Sequence, residues 1–187
     1  MNVETLEIPG VLLLTPKRFA DSRGSFVETW QAARYEACGI AGPFVQDNHS
    51  VSVRAGTVRG LHLQRPPFEQ GKLVRVVRGR IWDVAVDVRP GSAKFGRHVA
   101  AELSADNWRQ LWIPGGFLHG FCTLEPDTEV VYKVTAPYDH AAERGVIWND
   151  HRLALPWPVA QGEAVLSDKD ELLPRLAEYA GGLLADG

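Results

Sequence analysis

Residues 59–64, RGLHLQ, decide how this chain can fold. Two leucines alternate with His62 and Gln64, which is the period of a β-strand. One face of the strand is therefore apolar, and the other carries an imidazole and an amide. A second alternating run, KLVRVV, occupies residues 72–77 after a short loop. The pattern predicts neighbouring strands whose polar faces, with His62 and Lys72, point into one cavity.

His62 and Lys72 are chemically suited to moving a proton next to a carbonyl group. A neutral histidine accepts a proton near pH 7, because its unperturbed pKa is about 6.5. A nearby ammonium stabilises a developing oxyanion. Taken alone, the two residues are also compatible with a hydrogen-bonded core histidine and a solvated lysine. The strand pattern is therefore compatible with two hypotheses: that His62 and Lys72 carry out enolate chemistry, or that both are structural residues.

The composition is that of one soluble globular domain. The chain has 187 residues, of which 45% are hydrophobic and 23% charged, enough for a sizeable core. A net charge of −3 and the lack of a long basic block argue against nucleic-acid binding. We expect a single domain over 1–187, with a core at about 45–137, an N-terminal arm at 1–44 and a C-terminal segment at 138–187.

The sequence predicts neither export nor membrane anchoring. Residues 1–7 contain no basic region, and the apolar run at 11–14 is too short for a signal or a membrane span. The two cysteines, Cys38 and Cys122, are widely spaced and form no metal or redox motif. We therefore expect a cytoplasmic protein without disulfides.

Short alternating runs bounded by glycine and proline continue along most of the chain. They predict further strands at residues 25–30, 46–53, 95–103, 110–113, 119–124 and 129–135. Helical patterns occur at 31–38, ended by Gly39, and at about 169–179. Many short strands at regular spacing predict an all-β sandwich or barrel with short flanking helices.

The positions of Leu61 and Leu63 predict an interface with a second subunit. If His62 faces a cavity, the alternation places these two leucines on the outer face of the barrel. Exposed leucines on a strand need cover, and a second subunit is one way to supply it. The strand pattern therefore also favours a homodimer.

Further groups could join His62 and Lys72 in chemistry. Tyr132 could donate a proton from the side opposite a base, and a carboxylate in the run SDKD at 167–170 could orient a histidine. Arg23 and Arg59, with Lys72, are suited to holding phosphates. Each group also has a common structural explanation. Tyr132 could be a core aromatic, the run at 167–170 a helix N-cap, and the cationic residues surface charges.

The histidine spacing does not favour a metal site. Metal-binding jelly rolls typically place two histidines one residue apart on a strand, followed by an acid and a later histidine. Here Gln64 stands where the second histidine would be, and an amide is a poor ligand for most transition metals. His119 would be the later histidine, but no matching acid accompanies it. We expect no metal and no other cofactor, and a metal-dependent cupin oxygenase is the alternative.

Six segments, in order, resemble those of the dTDP-4-dehydrorhamnose 3,5-epimerases, which are rhamnose-pathway members of the cupin superfamily. They are 46–50 (QDNHS), 59–64 (RGLHLQ), 71–76 (GKLVRV), 112–121 (WIPGGFLHGF), 131–135 (VYKVT) and 145–150 (GVIWND). The similarity extends from residue 19 to residue 170. It implies a cupin-type jelly roll, a homodimer and a reaction without a metal.

The resemblance implies roles for individual residues. His62 corresponds to the general base and Asp170 to its orienting carboxylate, although Asp168 is close enough to leave that choice open. Tyr132 corresponds to the acid on the opposite face, and Lys72 to the group that stabilises the enolate. The implied substrate contacts are Arg23, Phe26, Glu28, Gln46, Asn48, Arg59, His119, Tyr138, Glu143 and Lys169. The segment containing the first three of these is expected to reach into the partner's site.

The implied reaction inverts C3 and C5 of dTDP-4-keto-6-deoxy-D-glucose to give dTDP-4-keto-L-rhamnose. The C4 ketone acidifies both hydrogens, and inversion requires proton carriers on both faces of the ring. The expected partners are this dTDP-sugar and a second subunit, with no nucleic acid and no membrane. A mono-epimerase acting at C3 or C5 and a non-catalytic sugar-nucleotide-binding cupin are the alternatives. Leu63, where the family often has an aromatic, and the loop at 65–70 depart from the family pattern.

Overall fold

A computed structural model describes residues 1–40 and 42–179 of the chain. The strands are β1 (Asn2–Thr5), β2 (Leu12–Thr15), β3 (Arg18–Asp21), β4 (Gly24–Val27), β5 (Gln46–Ser52), β6 (Val58–Gln64), β7 (Lys72–Arg78), β8 (Arg80–Asp87), β9 (His98–Ser104), β10 (Gln110–Ile113), β11 (Phe117–Thr123), β12 (Thr128–Val134) and β13 (Glu143–Gly145). The helices are α1 (Ala32–Glu36) and α2 (Asp168–Glu171). No helix in the described part of the chain is long and apolar enough to cross a membrane.

Two antiparallel sheets face each other. The six-stranded sheet has the order β1-β2-β10-β7-β12-β5, and the five-stranded sheet has the order β13-β6-β11-β8-β9. Strands β3 and β4 form a separate hairpin. Two packed antiparallel sheets with crossovers between them form a jelly roll. The predicted all-β, cupin-type fold with short flanking helices is confirmed.

Side chains from both sheets meet in the main core. Val74, Leu111 and Val130 of the six-stranded sheet belong to one buried cluster with Ile81 and Phe121 of the five-stranded sheet. Strand alternation sends every second residue into this layer. Polar residues at the same inward positions, among them His62, therefore lie between the sheets rather than in solvent.

The chain itself covers the outer face of the five-stranded sheet. Leu61 is 0% exposed and Leu63 is 6% exposed, and both pack in a cluster with Val146, Leu153 and Leu176. Burying one such leucine contributes about 1.5–3 kcal/mol. The prediction that a second subunit covers these leucines is therefore wrong, because residues that follow β13 fold back over them.

Several predicted boundaries differ from the observed ones; β4, for example, ends at Val27 rather than at residue 30. Residues 95–97 lie in a turn, in which the Arg97 amide donates to the Lys94 carbonyl, so β9 begins only at His98. The predicted helix at 169–179 is divided into α2 and a helical turn at 176–179. Pro174 lies between them, and a proline disfavours helical geometry in the residue before it. The predicted C-terminal segment extends beyond residue 179, outside the described residues.

Strands β6 and β11 approach closely at Gly60. Gly60 has a φ of +121°, and a Cβ atom there would lie 2.7 Å from both the Gly120 Cα and the His119 carbonyl oxygen. Two residues further along β6, His62 is paired directly opposite His119. A glycine at position 60 therefore permits the strand pairing that places both histidines.

We expect Gly60→Ala to lower the free energy of unfolding by about 2–4 kcal/mol, since it adds backbone strain to a steric clash. Gly96→Ala is the matched control, because Gly96 has a φ of +77° but open space around its Cβ position. That variant should lose only about 1 kcal/mol. Urea titration measures both values, and equal losses would contradict the role given to the close approach.

Candidate active site

A cavity of about 130 Å³ lies where the two sheets open towards one end of the barrel. The six-stranded sheet contributes residues from β5, β7 and β12, and the five-stranded sheet contributes residues from β6 and β13. The lining residues are Gln46, Asn48, His62, Leu63, Gln64, Gln70, Lys72, Tyr132, Tyr138 and Glu143. Seven of the residues singled out from the sequence are therefore brought together here.

His62 is oriented by a buried carboxylate. Its Nε2 lies 2.7 Å from Asp170 Oδ1, and Asp170 Oδ2 accepts a hydrogen bond from the Gly60 amide at 3.3 Å. Burial raises the pKa of Asp170, but the hydrogen bonds from His62 and the Gly60 amide, together with positive charge nearby, outweigh burial, so this pKa lies below its usual value. An ionised Asp170 holds the proton of neutral His62 on Nε2 and leaves Nδ1 free to accept another.

Helix α2 determines which carboxylate reaches His62. Ser167 caps this helix, accepting a hydrogen bond from the Asp170 amide. Residues two apart on a helix point about 200° away from each other. Asp170 is accordingly 4% exposed beneath β6, whereas Asp168 is exposed. The choice left open by the sequence is resolved geometrically in favour of Asp170.

Lys72 is a buried cation at the first position of β7. Burial lowers its pKa to about 8, while the charges of Asp83 and Glu143 act in the opposite direction. At pH 7 the ammonium form therefore predominates. A desolvated ammonium interacts with a developing anion much more strongly than one in water.

Tyr132 lies across the cavity from His62, on β12 of the opposite sheet. Its ring is half-buried and packs against the main core. Burial raises the pKa of its phenol above the ordinary value, with Arg59 lowering it and Glu143 raising it to smaller extents. The phenol is thus protonated at neutral pH and is a proton donor in its resting state.

Tyr138 marks the open end of the cavity. Its ring is 50% exposed, and its hydroxyl donates to Glu143 Oε2 at 2.8 Å. The other oxygen of Glu143 accepts from Lys169 Nζ at 2.5 Å. Gln64 braces this segment from inside, donating to the Pro137 carbonyl at 3.0 Å and accepting from the Asp139 amide at 2.6 Å. An exposed aromatic ring on a braced segment is a stacking surface for a planar ligand.

His119 lies behind the cavity rather than in its lining. It is 6% exposed, and its Nε2 is 2.7 Å from Asp83 Oδ1. Burial lowers the pKa of His119, with Asp83 opposing this shift, so the ring is neutral at pH 7. Among the described residues, no group of three His, Cys, Asp or Glu side chains is arranged to hold a metal ion.

The predicted substrate-contact residues are not all close to the cavity. Arg59 donates to Ser52 Oγ and to the Val51 carbonyl, at the edge of the site. Arg23 and Phe26 lie on the exposed β3–β4 hairpin, and Glu28, just after it, forms an ion pair with Arg34 at 2.9 Å. The chain's own cavity contains none of these last three predicted residues.

A larger cavity of about 300 Å³ lies on the other face of the six-stranded sheet. It includes Asn48 and Tyr132 in its lining, but its remaining residues, such as Leu73 and Arg75, alternate with the inward-facing ones. It contains neither His62 nor Lys72. The smaller cavity is therefore the one that combines a base, an acid and a buried cation.

The sequence alone does not reveal the roles of two residues at the site, Asp83 and Gln64. Asp83 lies in the run WDVAVD at 82–87, where a carboxylate interrupts a buried apolar pattern. That interruption was a usable signal, because buried acids are rare unless paired. Gln64 was considered only as a poor metal ligand, and its bracing of residues 137–139 depends on contacts distant in sequence.

These features define a class: a jelly-roll enzyme that removes and returns protons next to a carbonyl. A family model described as dTDP-4-dehydrorhamnose 3,5-epimerase matches residues 5–178. A relative of that name from Shigella flexneri is 52% identical over 171 residues, 91% of this chain and 93% of the relative. The chain therefore belongs to the dTDP-4-dehydrorhamnose 3,5-epimerase family.

Solved structures agree with this assignment. The enzyme from Legionella pneumophila, a dTDP-6-deoxy-D-glucose-3,5-epimerase in complex with dTDP-4-keto-L-rhamnose, is 43% identical with a TM-score of 0.86, covering 93% of this chain and 97% of that one. A 3′-monoepimerase from Streptomyces bikiniensis, in complex with dTDP-quinovose, is 34% identical with a TM-score of 0.87, covering 95% and 90%. Double and single epimerases thus share this fold.

Proposed function

We propose that this protein inverts C3 and C5 of dTDP-4-keto-6-deoxy-D-glucose through enolate intermediates, giving dTDP-4-keto-L-rhamnose in dTDP-sugar biosynthesis. The observation that carries the proposal is the placement of His62 and Tyr132 on opposite sheets, facing one cavity that Lys72 also lines. A sugar ring held between the sheets has one face towards each proton carrier. Inversion of a carbon requires that arrangement.

His62 begins each epimerisation as the general base. The C3 and C5 hydrogens are both adjacent to the C4 ketone, so removing either one gives an enolate. Asp170 fixes the tautomer of His62 and stabilises the imidazolium that forms. One base serves both carbons when the ring changes its position or pucker between the two steps.

Lys72 and Tyr132 complete the step. Lys72 is the one lysine or arginine among the described lining residues, so its ammonium stabilises the developing oxyanion at O4, and its burial strengthens the interaction. The Tyr132 phenol then delivers a proton to the opposite face of the same carbon. His62 loses its acquired proton to solvent, and Tyr132 regains one, before the next step.

The nucleotide supplies binding energy away from the reacting carbons. Tyr138 offers a stacking surface, and the Arg59 guanidinium lies close enough to Tyr132 to affect its pKa. Contacts with the nucleotide base and the diphosphate position the sugar next to the proton carriers, His62 and Tyr132. A substrate lacking the nucleotide should therefore lose rate as well as affinity.

The direct test uses freshly generated dTDP-4-keto-6-deoxy-D-glucose and enzyme in deuterium oxide. NMR reports deuterium at C3 and at C5 and the configuration of each carbon. We expect label and inversion at both. Inversion at one carbon would replace the proposal with a mono-epimerase, and no exchange at either would leave a protein that only binds sugar nucleotides.

We further propose that the active unit is a homodimer in which the β3–β4 hairpin reaches the partner's cavity. Arg23 is almost fully exposed on this hairpin, and Phe19 and Phe26 are 53% and 70% exposed. Two large apolar side chains so exposed on a two-stranded hairpin are typical of a protein interface. This support is independent of Leu61 and Leu63, which the chain covers by itself.

Mixed dimers test this arrangement. His62→Ala removes the base but keeps the hairpin, and the double variant Arg23→Ala/Phe26→Ala does the reverse. We expect both proteins to be nearly inactive alone. Equimolar random mixing should restore about a quarter of wild-type activity, because half of the dimers then contain one complete site. No recovery after subunit exchange would show that the hairpin does not act across the interface.

A further inference from the structure

Asp83 is a buried carboxylate that the proposed mechanism does not use. It lies on β8 with an exposure of 0%. Its Oδ1 is 2.7 Å from His119 Nε2, whereas its Oδ2 is buried without a hydrogen-bond partner in the described part of the chain. A carboxylate away from water requires donors or positive charge to compensate its lost hydration. One bond from a neutral imidazole satisfies only one of its oxygens.

Lys72 is the buried cation that interacts with this carboxylate, at a distance too long for a direct ion pair. It is buried on the opposite sheet, and no described residue lies within hydrogen-bond or ion-pair distance of its Nζ. Asp83 is the larger of the two electrostatic influences that favour its charged form, ahead of Glu143. Glu143 is already engaged by Lys169 and Tyr138, which leaves Asp83 as the carboxylate with an uncommitted buried oxygen.

Of the other groups around Lys72, Glu143 alone carries a negative charge, and it is already paired with Lys169. Titratable side chains face it from five strands, namely His62 (β6), Asp83 (β8), His119 (β11), Tyr132 (β12) and Glu143 (β13). Histidines are never anionic, and the phenol of Tyr132 stays protonated at neutral pH. The neutral His119 donates its Nε2 hydrogen to Asp83 and leaves the charge of that carboxylate intact.

We propose that Asp83 is a positioning residue: its unpartnered Oδ2 favours the ammonium form of Lys72 across the core, while its Oδ1 fixes the ring of His119. The consequence for turnover rests on the proposed function, in which Lys72 stabilises the enolate. The charge of Lys72 is measurable without any turnover, so the two proposals can fail separately.

Asp83→Asn tests the role in turnover. It keeps the size and an acceptor for His119 but removes the charge. We expect the alkaline limb of the pH profile of kcat/KM to move down by about one pH unit or more, with a loss of about tenfold at pH 7.5 and a smaller loss at pH 6. Asp83→Glu should restore the position of this limb. Asp87→Asn is the matched control, since Asp87 is equally buried on β8 but held by Arg89 and Ser92.

Reductive methylation with ¹³C-formaldehyde and cyanoborohydride tests the charge of Lys72 directly, because only the neutral amine reacts. Without substrate, we expect labelling of Lys72 to begin about one pH unit lower in Asp83→Asn than in wild type or Asp87→Asn. An unchanged onset in folded Asp83→Asn would overturn the proposal, whatever the enzyme turns over. If that variant does not fold, Asp83→Glu decides: a wild-type onset supports the proposal, and a lowered onset contradicts it.

Discussion

Replacing His62 with alanine should abolish deuterium exchange at both C3 and C5, with a fall in kcat of about 10³-fold or more. The size of this effect follows from the site: among the described lining residues, His62 is the one whose side chain is oriented by a buried carboxylate. Lys72 and Tyr132 are protonated at neutral pH and accept no proton in their resting states. Glu143 is a weaker base, because hydrogen bonds from Lys169 and Tyr138 outweigh burial and lower its pKa. His62 is therefore the lining residue of the described chain that is suited to act as the base.

Three measurements make this expectation specific. His98→Ala removes another half-buried histidine of the five-stranded sheet and should leave turnover close to that of wild type. Asp170→Asn should retain partial activity, since the imidazole remains but its orientation and basicity are weakened. Thermal unfolding of each variant checks that the fold persists. Retention of most turnover in His62→Ala would refute the assignment of the base.

Local pattern was sufficient to locate many strands because their ends are marked in the sequence. Strand β10 matches its predicted bounds, 110–113, since Pro114 and Gly115 stop it. The inward position of His62 followed from alternation with two leucines. What alternation cannot give is the identity of the cover on the outer face. Leu61 contacts residues more than 80 positions later, and that closure depends on the whole topology.

The site was predictable in its residue types but not in its connections. The family resemblance pointed to His62, Lys72 and Tyr132, and the structure brings all three to one cavity. Pairing of His62 with Asp170 depends on the phase of a four-residue helix, which sequence spacing alone leaves ambiguous. Asp83 lies in a largely apolar strand, and no motif in the sequence marks it. A buried charge inside such a strand signals a partner across the core.

The β3–β4 hairpin lies outside the cavity of its own chain. Arg23 and Phe26 were expected to contact the substrate of a partner, and in the single chain they lie exposed, away from its cavity. This placement fits a hairpin that reaches into the site of a partner subunit. The homodimer therefore stays a prediction, to be decided by the mixed-dimer experiment.

Tyr132→Phe should separate proton removal from inversion. The substitution deletes the phenolic oxygen and keeps the ring that packs on the main core, so the cavity keeps its shape. His62 and Lys72 remain, and enolate formation continues. Without an acid on the opposite face, the enolate is reprotonated from the His62 side, which restores the starting configuration with deuterium from solvent. We expect inversion to fall by about 10²-fold or more and label incorporation to fall by less than about tenfold.

The ratio of label incorporated to carbon inverted is the decisive quantity, because it is insensitive to the fraction of active enzyme. Tyr35→Phe is the matched control: its hydroxyl is also buried and hydrogen-bonded, to Gln110 and the Thr29 carbonyl, but it lies in a separate cluster. That variant should lose stability and keep the wild-type ratio. Equal losses of exchange and inversion in Tyr132→Phe would mean that the phenol assists enolate formation itself. The assignment of Tyr132 to the second proton transfer alone would then be incorrect.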